Sequence, residues 1–162
     1  MVELLALVVE DSMVHRKLLL EAAKDCGMPL RLDIFPDAES AWQAIERMPS
    51  VPRSEWPHFA LVDIGLPGAS GIDLVDRIRQ RPRFDGWPVV MLTASTDPDD
   101  RSEAMLADAT AYFVKPVTGS GYTRILRQIL EFLELGDAPG RPLQDNQPAR
   151  KRSKASPSGR GA

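Results

Sequence analysis

Apolar residues recur along the chain in two rhythms, one continuous over four to six positions and one spaced by threes and fours. Leu4–Val9 (LLALVV) is an unbroken apolar run that stops at Glu10-Asp11, the pattern of a strand buried on both faces of a sheet. From Ser12 to Cys26 the spacing turns helical, with Val14, Leu18 and Ala22 on one face and Gly27 as the stop. Arg31–Phe35 (RLDIF) alternates as a less apolar strand. Asp37 is placed to cap a helix whose inner face carries Ala38, Ala41, Trp42 and Ile45. Residues 49–58 (PSVPRSEWPH) hold three prolines and predict a long connection that is neither helix nor central strand. Phe59–Val62 (FALV) is the next buried strand and ends at Asp63. A Gly/Pro-rich turn follows, then a helix over 72–81 with Ile72, Val75 and Ile78 inside. Pro88–Thr93 is a fourth strand, Asp97-Pro98 opens a helix, and Ala111–Val114 is a fifth strand. Tyr122, Ile125, Leu126, Ile129, Leu130 and Leu133 mark a last amphipathic helix, closed by Gly136.

Strand and helix thus alternate five times, which predicts an α/β fold: a doubly wound five-stranded parallel sheet flanked by five helices. In such sheets ligands bind beyond the carboxyl ends of the strands. The polar residues that terminate the apolar runs are therefore the ones to weigh: Glu10, Asp11, Asp63, Thr93 and Lys115.

Composition narrows the choice. The chain is 43% hydrophobic and 27% charged, enough to build a core. No apolar run reaches the roughly 18 residues of a membrane span, and the start lacks a basic signal segment, so a cytoplasmic protein with no membrane role is expected. A single cysteine, Cys26, excludes an internal disulfide and is expected to be a small buried hydrophobe. His15 and His58 are 43 positions apart and share no metal-ligand pattern. The net charge of −3 conceals two regions. Residues 1–136 carry 14 Lys and Arg against 21 Asp and Glu, whereas 137–162 carry 6 against 2. The first region is expected to be the domain and the second a basic, disordered tail. Its segment RKRSK (150–154) is read as disorder rather than as a nucleic-acid contact. The three tryptophans, Trp42, Trp56 and Trp87, are expected to be packing residues.

Three carboxylates, a hydroxyl and an ammonium at one sheet edge make a defined chemical set. Two carboxylates about 4 Å apart repel by about 4 kcal/mol at an effective dielectric of 20, so either their protons are held or a cation sits among them. An all-oxygen site suits Mg²⁺, which prefers a phosphate partner. Neither G-x-x-x-x-G-K-[ST] nor a G-x-G-x-x-G after the first strand is present, so a nucleotide is not the evident phosphate source. Asp63 is then the candidate acceptor, a carboxylate able to form an aspartyl phosphate.

Glu10-Asp11 after an apolar strand, D63-I-G-L-P67-x-x-x-G71, Thr93-Ala94, Tyr112 and Lys115-Pro116 resemble the motifs of receiver domains in two-component response regulators. The spacings of 30 from Asp63 to Thr93, 19 from Thr93 to Tyr112 and 22 from Thr93 to Lys115 fit that pattern, over roughly residues 3–135. The resemblance implies a flavodoxin-like fold of strand order 2-1-3-4-5. It implies that Asp63 accepts a phosphoryl group from a sensor histidine kinase or a histidine phosphotransfer protein. Mg²⁺ would be held by Asp11, Asp63 and the backbone carbonyl of Gly65, with Glu10 ligating directly or through water. Lys115 would pair with the phosphoryl oxygens, Thr93 and Tyr112 would act as the switch, and Gly65 and Ser95 would tune phosphoryl lifetime. A cis Lys115–Pro116 bond is also implied. The proline-rich loop, the LPGASG turn and the WPVVMLTAS run resemble phytochrome-associated regulators, which implies a phytochrome-type kinase as partner. A single-domain regulator is expected, with no output domain after residue 136 and with a homodimer through the fourth helix, fifth strand and fifth helix as one way to signal. Two alternatives stay open: a small aspartyl-phosphate phosphatase, disfavoured because Gly65 stands where its second aspartate would be, and a phosphorylation-independent interaction module.

Overall fold

The computed structural model describes residues 2–134, so the expected tail at 137–162 lies outside the described residues. Ten elements alternate along them: β1 (Leu4–Val9), α1 (Met13–Asp25), β2 (Leu30–Phe35), α2 (Ala38–Arg47), β3 (Phe59–Val62), α3 (Gly71–Arg79), β4 (Val89–Thr93), α4 (Pro98–Leu106), β5 (Ala111–Val114) and α5 (Gly119–Glu134). The strands form one parallel sheet in the order β2-β1-β3-β4-β5.

Side-chain alternation along the buried strands divides the core in two. Leu7, Val9, Ala60, Val62, Val89, Met91 and Tyr112 face the layer of α2, α3 and α4. Ala6, Val8, Phe59, Leu61, Val90, Leu92, Ala111 and Phe113 face α1 and α5. A continuous apolar run is thus a strand that meets a helix on each side. Each fully buried aliphatic side chain contributes roughly 1.5–3 kcal/mol. The edge strand β2, covered less, alternates in burial, with Arg31 and Asp33 in solvent. Cys26 is buried and Trp42 and Trp87 lie in the core.

Helix starts follow local polar chemistry. Ser12 caps α1, Asp37 caps α2, Asp97 caps α4, and Ser70 with Asp73 forms a reciprocal capping box on α3. One expected face is corrected: Val14 is exposed, because the buried stripe of α1 runs through Leu19, Ala22 and Ala23. The connection before β3 is also more ordered than its prolines suggest, containing the short 3₁₀ turns Met48–Ser50 and Arg53–Glu55. Pro49 is the second residue of the first turn and Pro52 directly precedes the second, positions at which the turn needs no N–H. Aromatic packing holds this connection down. Trp56 lies 5.6 Å from Phe84, Phe84 lies 6.1 Å from Trp87, and Trp87 Nε1 donates to Pro57 O at 2.8 Å. No helix among the described residues is long and apolar enough to cross a membrane.

Candidate functional site

Sheet order and register place the polar strand ends together. β1 and β3 are neighbours with Val9 opposite Val62, and Asp63 N–H donates to Val9 O at 3.1 Å, so Glu10 and Asp63 leave the sheet side by side. β4 and β5 pair Thr93 with Val114, and Lys115 N–H donates to Thr93 O at 2.7 Å. Glu10 is fixed from both ends: Oε1 accepts Ser12 N–H at 3.0 Å, and its carbonyl accepts Arg16 Nε–H at 2.7 Å. Gly71, the last residue of the DIGLPxxxG motif, begins α3 where a Cβ would overlap the Asp63 carbonyl. Only glycine lets the helix start that close to the Asp63 backbone.

Lys115 is the hub. Its Nζ donates to Asp63 Oδ2 at 2.7 Å, Glu10 Oε2 at 2.7 Å and His15 Nδ1 at 2.8 Å, and its side chain is 5% exposed. Burial alone would push the ammonium's pKa down. The hydrogen bonds and charges of Asp63 and Glu10 outweigh it and hold the pKa above the ordinary value of 10.5. One oxygen each of Glu10, Asp11 and Asp63 lies within 4.8 Å of the others. Glu10 and Asp63 are buried and Asp11 opens to solvent. Three carboxylates against one ammonium leave the cluster about two charges negative, matching a divalent ion, and the hard oxygen donors fit Mg²⁺. The cleft has a volume of about 300 Å³ and is also lined by Gly65, Thr93 and Ser95.

Gly65 N–H points back to Asp63 Oδ1 at 3.3 Å. Thr93 Oγ1 accepts Ser95 N–H at 3.3 Å, Ser95 Oγ donates to Asp100, and Tyr112 O–H donates to Ser95 O at 3.0 Å. Tyr112 is fully buried, and burial raises its pKa, so it is a phenol that donates at neutral pH. The structure therefore brings Glu10, Asp11, Asp63, Thr93 and Lys115 around one cleft, with Gly65 and Ser95 on its rim and Tyr112 behind Ser95. The expected cis bond is corrected: Lys115–Pro116 is trans, as are all peptide bonds among the described residues. Trans is favoured by about 0.5–1 kcal/mol before proline, and Lys115 reaches its partners in that isomer. Two site residues were not singled out from sequence. His15 stands on the first turn of α1, four positions after Asp11, and Asp100 lies five positions after Ser95.

Comparison with known proteins resolves the family. The sequence model of the response regulator receiver domain matches residues 6–127, about three quarters of the chain. The chain belongs to that receiver family. The receiver is 36% identical over 111 residues to the two-component response regulator PhoP of Pseudomonas aeruginosa, an alignment covering 68% of this chain and 44% of PhoP. It is 28% identical over 127 residues to chemotaxis protein CheY-3 of Vibrio cholerae, covering 78% of this chain and 92% of CheY-3. Among solved structures, the phosphorylated cyanobacterial phytochrome response regulator RcpA superposes with a TM-score of 0.72 at 24% identity, over 85% of this chain and 98% of RcpA, which shows the shared fold. The Mn²⁺-bound form of response regulator Rcp1 superposes with a TM-score of 0.68 at 26% identity, over 80% of this chain and 93% of that one. Receivers are signalling modules whose family function is phosphorylation-dependent signalling.

Proposed function

We propose that this receiver accepts a phosphoryl group on Asp63 from the phosphohistidine of a sensor histidine kinase or phosphotransfer protein. The observation that carries the reading is the pairing of buried Asp63 with Lys115 at 2.7 Å inside a cluster of three carboxylates. In the step, an Asp63 oxygen bonds to phosphorus as the phosphorus–nitrogen bond breaks, and the electron pair leaves on the donor imidazole. Lys115 turns an N–H to the phosphoryl oxygens, and the Thr93 hydroxyl, accepting from Ser95, keeps its own proton to donate. Glu10, Asp11, Asp63 and the Gly65 carbonyl would hold Mg²⁺. When bound, the ion supplies charge neutralisation at the phosphoryl oxygens.

The phosphoryl group carries about two negative charges where the carboxylate carried one, and its pull on Thr93 is passed through Ser95 to Tyr112 and the surface of α4, β5 and α5. That surface is the proposed output and homodimer face. Ser95 and Gly65, at the mouth of the cleft, set how readily water reaches the acyl phosphate. The phytochrome-type kinase is proposed on the motif resemblance. Residues 1–136 form the proposed module.

Incubation with acetyl phosphate and Mg²⁺, followed by intact-mass measurement, tests the reading. The wild type is expected to gain one phosphoryl group and Asp63→Asn none. Turnover of many phosphomonoesters would favour the phosphatase instead. A wild type that stays unmodified with acetyl phosphate and with cognate kinase would favour the phosphorylation-independent module.

A further inference from the structure

We infer that Asp100 is a positioning residue for phosphotransfer that acts on Thr93 through the hydroxyl of Ser95, an inference that rests on the phosphoacceptor reading above. The start of α4 carries it. In a capping box the acid at the third helical position reaches back to the N–H of the N-cap residue. α3 does this directly, with Ser70 N–H donating to Asp73 Oδ2 at 3.3 Å. In α4 the N-cap is Asp97 and the acid at the third position is Asp100, and here the link is relayed. Asp97 N–H donates to Ser95 Oγ at 3.2 Å, and Ser95 Oγ–H donates to Asp100 Oδ2. A residue of the cleft is thus spliced into the cap of α4.

A hydroxyl has a single proton, and Asp100 decides where that of Ser95 points. The main chain of Ser95 is committed as well: its N–H donates to Thr93 Oγ1 at 3.3 Å, and its carbonyl accepts Tyr112 O–H at 3.0 Å. The side chain of Ser95 therefore ties it to the start of α4, and its backbone ties it to Thr93 and Tyr112. Thr93 can serve the phosphoryl group only if its own proton faces the cleft. Ser95 N–H secures this by occupying a lone pair of Oγ1, which orients the hydroxyl before the reaction begins. Without an acceptor at position 100 the Ser95 side chain is released, and the N–H that orients Thr93 is held less firmly. Ser95 and Asp100 are both half-buried, so water replaces their bond less well than it would at an open surface. An acid in a first turn also favours the helix dipole, so a loss of stability alone would not reveal this role. The kinetics of phosphotransfer do.

The test compares Asp100→Asn with Asp100→Ala in the full chain, by the rate at which acetyl phosphate with Mg²⁺ adds a phosphoryl group. Both variants remove the charge from the cleft mouth, but asparagine keeps an oxygen to accept the Ser95 hydroxyl. Asp100→Asn is expected to react roughly two- to tenfold faster than Asp100→Ala, the order of one hydrogen bond. In a Ser95→Ala background, where there is no hydroxyl to hold, the two variants should react at the same rate. Thermal midpoints of all the chains are measured alongside, and rates are compared well below the lowest of them, so that unfolding is not read as lost positioning. Equal rates for the two variants with Ser95 present, or the same ratio between them with and without the hydroxyl, overturn the inference and leave the phosphoacceptor reading intact. A wild type that takes up no phosphoryl group overturns both.

Discussion

At the scale of single residues, Lys115 decides the electrostatics of the cleft. Its ammonium is held protonated by two carboxylates in spite of burial, so the folded protein binds that proton more tightly than the unfolded chain does. Its stabilising contribution is full below the ordinary lysine value of 10.5 and falls as pH rises through the elevated folded value. In urea denaturation between pH 9 and 12 with EDTA present, the wild type is therefore expected to lose stability above 10.5 more steeply than Lys115→Met. Parallel curves for the two proteins would contradict the assignment. The residues that terminate apolar runs were legible from sequence because such a run ends where the chain leaves the sheet. His15 was not legible, since its partner Lys115 is 100 positions away and no local pattern joins them.

At the scale of elements, the approach of α3 to β3 is set by one missing methyl. Gly71→Ala must push the start of α3 off the Asp63 carbonyl. A loss of about 2–3 kcal/mol is expected from chemical denaturation, together with slower phosphorylation, because the displaced backbone carries Asp63. A variant with an unchanged denaturation midpoint would show that the helix has room to spare. The connection before β3 depends on a different contact. Trp87→Phe keeps the ring against Phe84 but removes the N–H to Pro57 O. A cost of about 1 kcal/mol is expected, with faster tryptic cleavage after Arg53. Cleavage at the wild-type rate would mean that aromatic packing alone orders the segment. The prolines here correctly predicted the absence of a long helix or central strand. They could not announce the aromatic cluster that shapes the 3₁₀ turns, because its members are Trp56, Phe84 and Trp87 from separate stretches.

At the scale of the whole molecule, the proposed ion site would link ion binding to folding. A site formed by β1 and β3 exists only in the folded chain, so a divalent ion that binds it stabilises the fold by mass action. At 100 times its dissociation constant, Mg²⁺ is expected to add about 2.7 kcal/mol, read as a rise in the thermal midpoint, and Asp11→Asn should lose most of that rise. An equal rise in Asp11→Asn would move the ion away from this cluster. The proposed ion and phosphoryl group would act at the same end of the sheet, whereas the proposed output face lies along α4, β5 and α5. Thr93, Ser95 and Tyr112 form the connected path between them.

The order of strands and helices, the helix caps and the polar termini of the strands were written in the chain itself, because periodicity and capping depend on neighbours within a turn or a strand. The meeting of Glu10, Asp63 and Lys115 on one ammonium, the third bond to His15 and the clearance that Gly71 provides were decided only by tertiary structure. Sheet order and strand register determine which distant positions become adjacent, and that information belongs to the packed core as a whole.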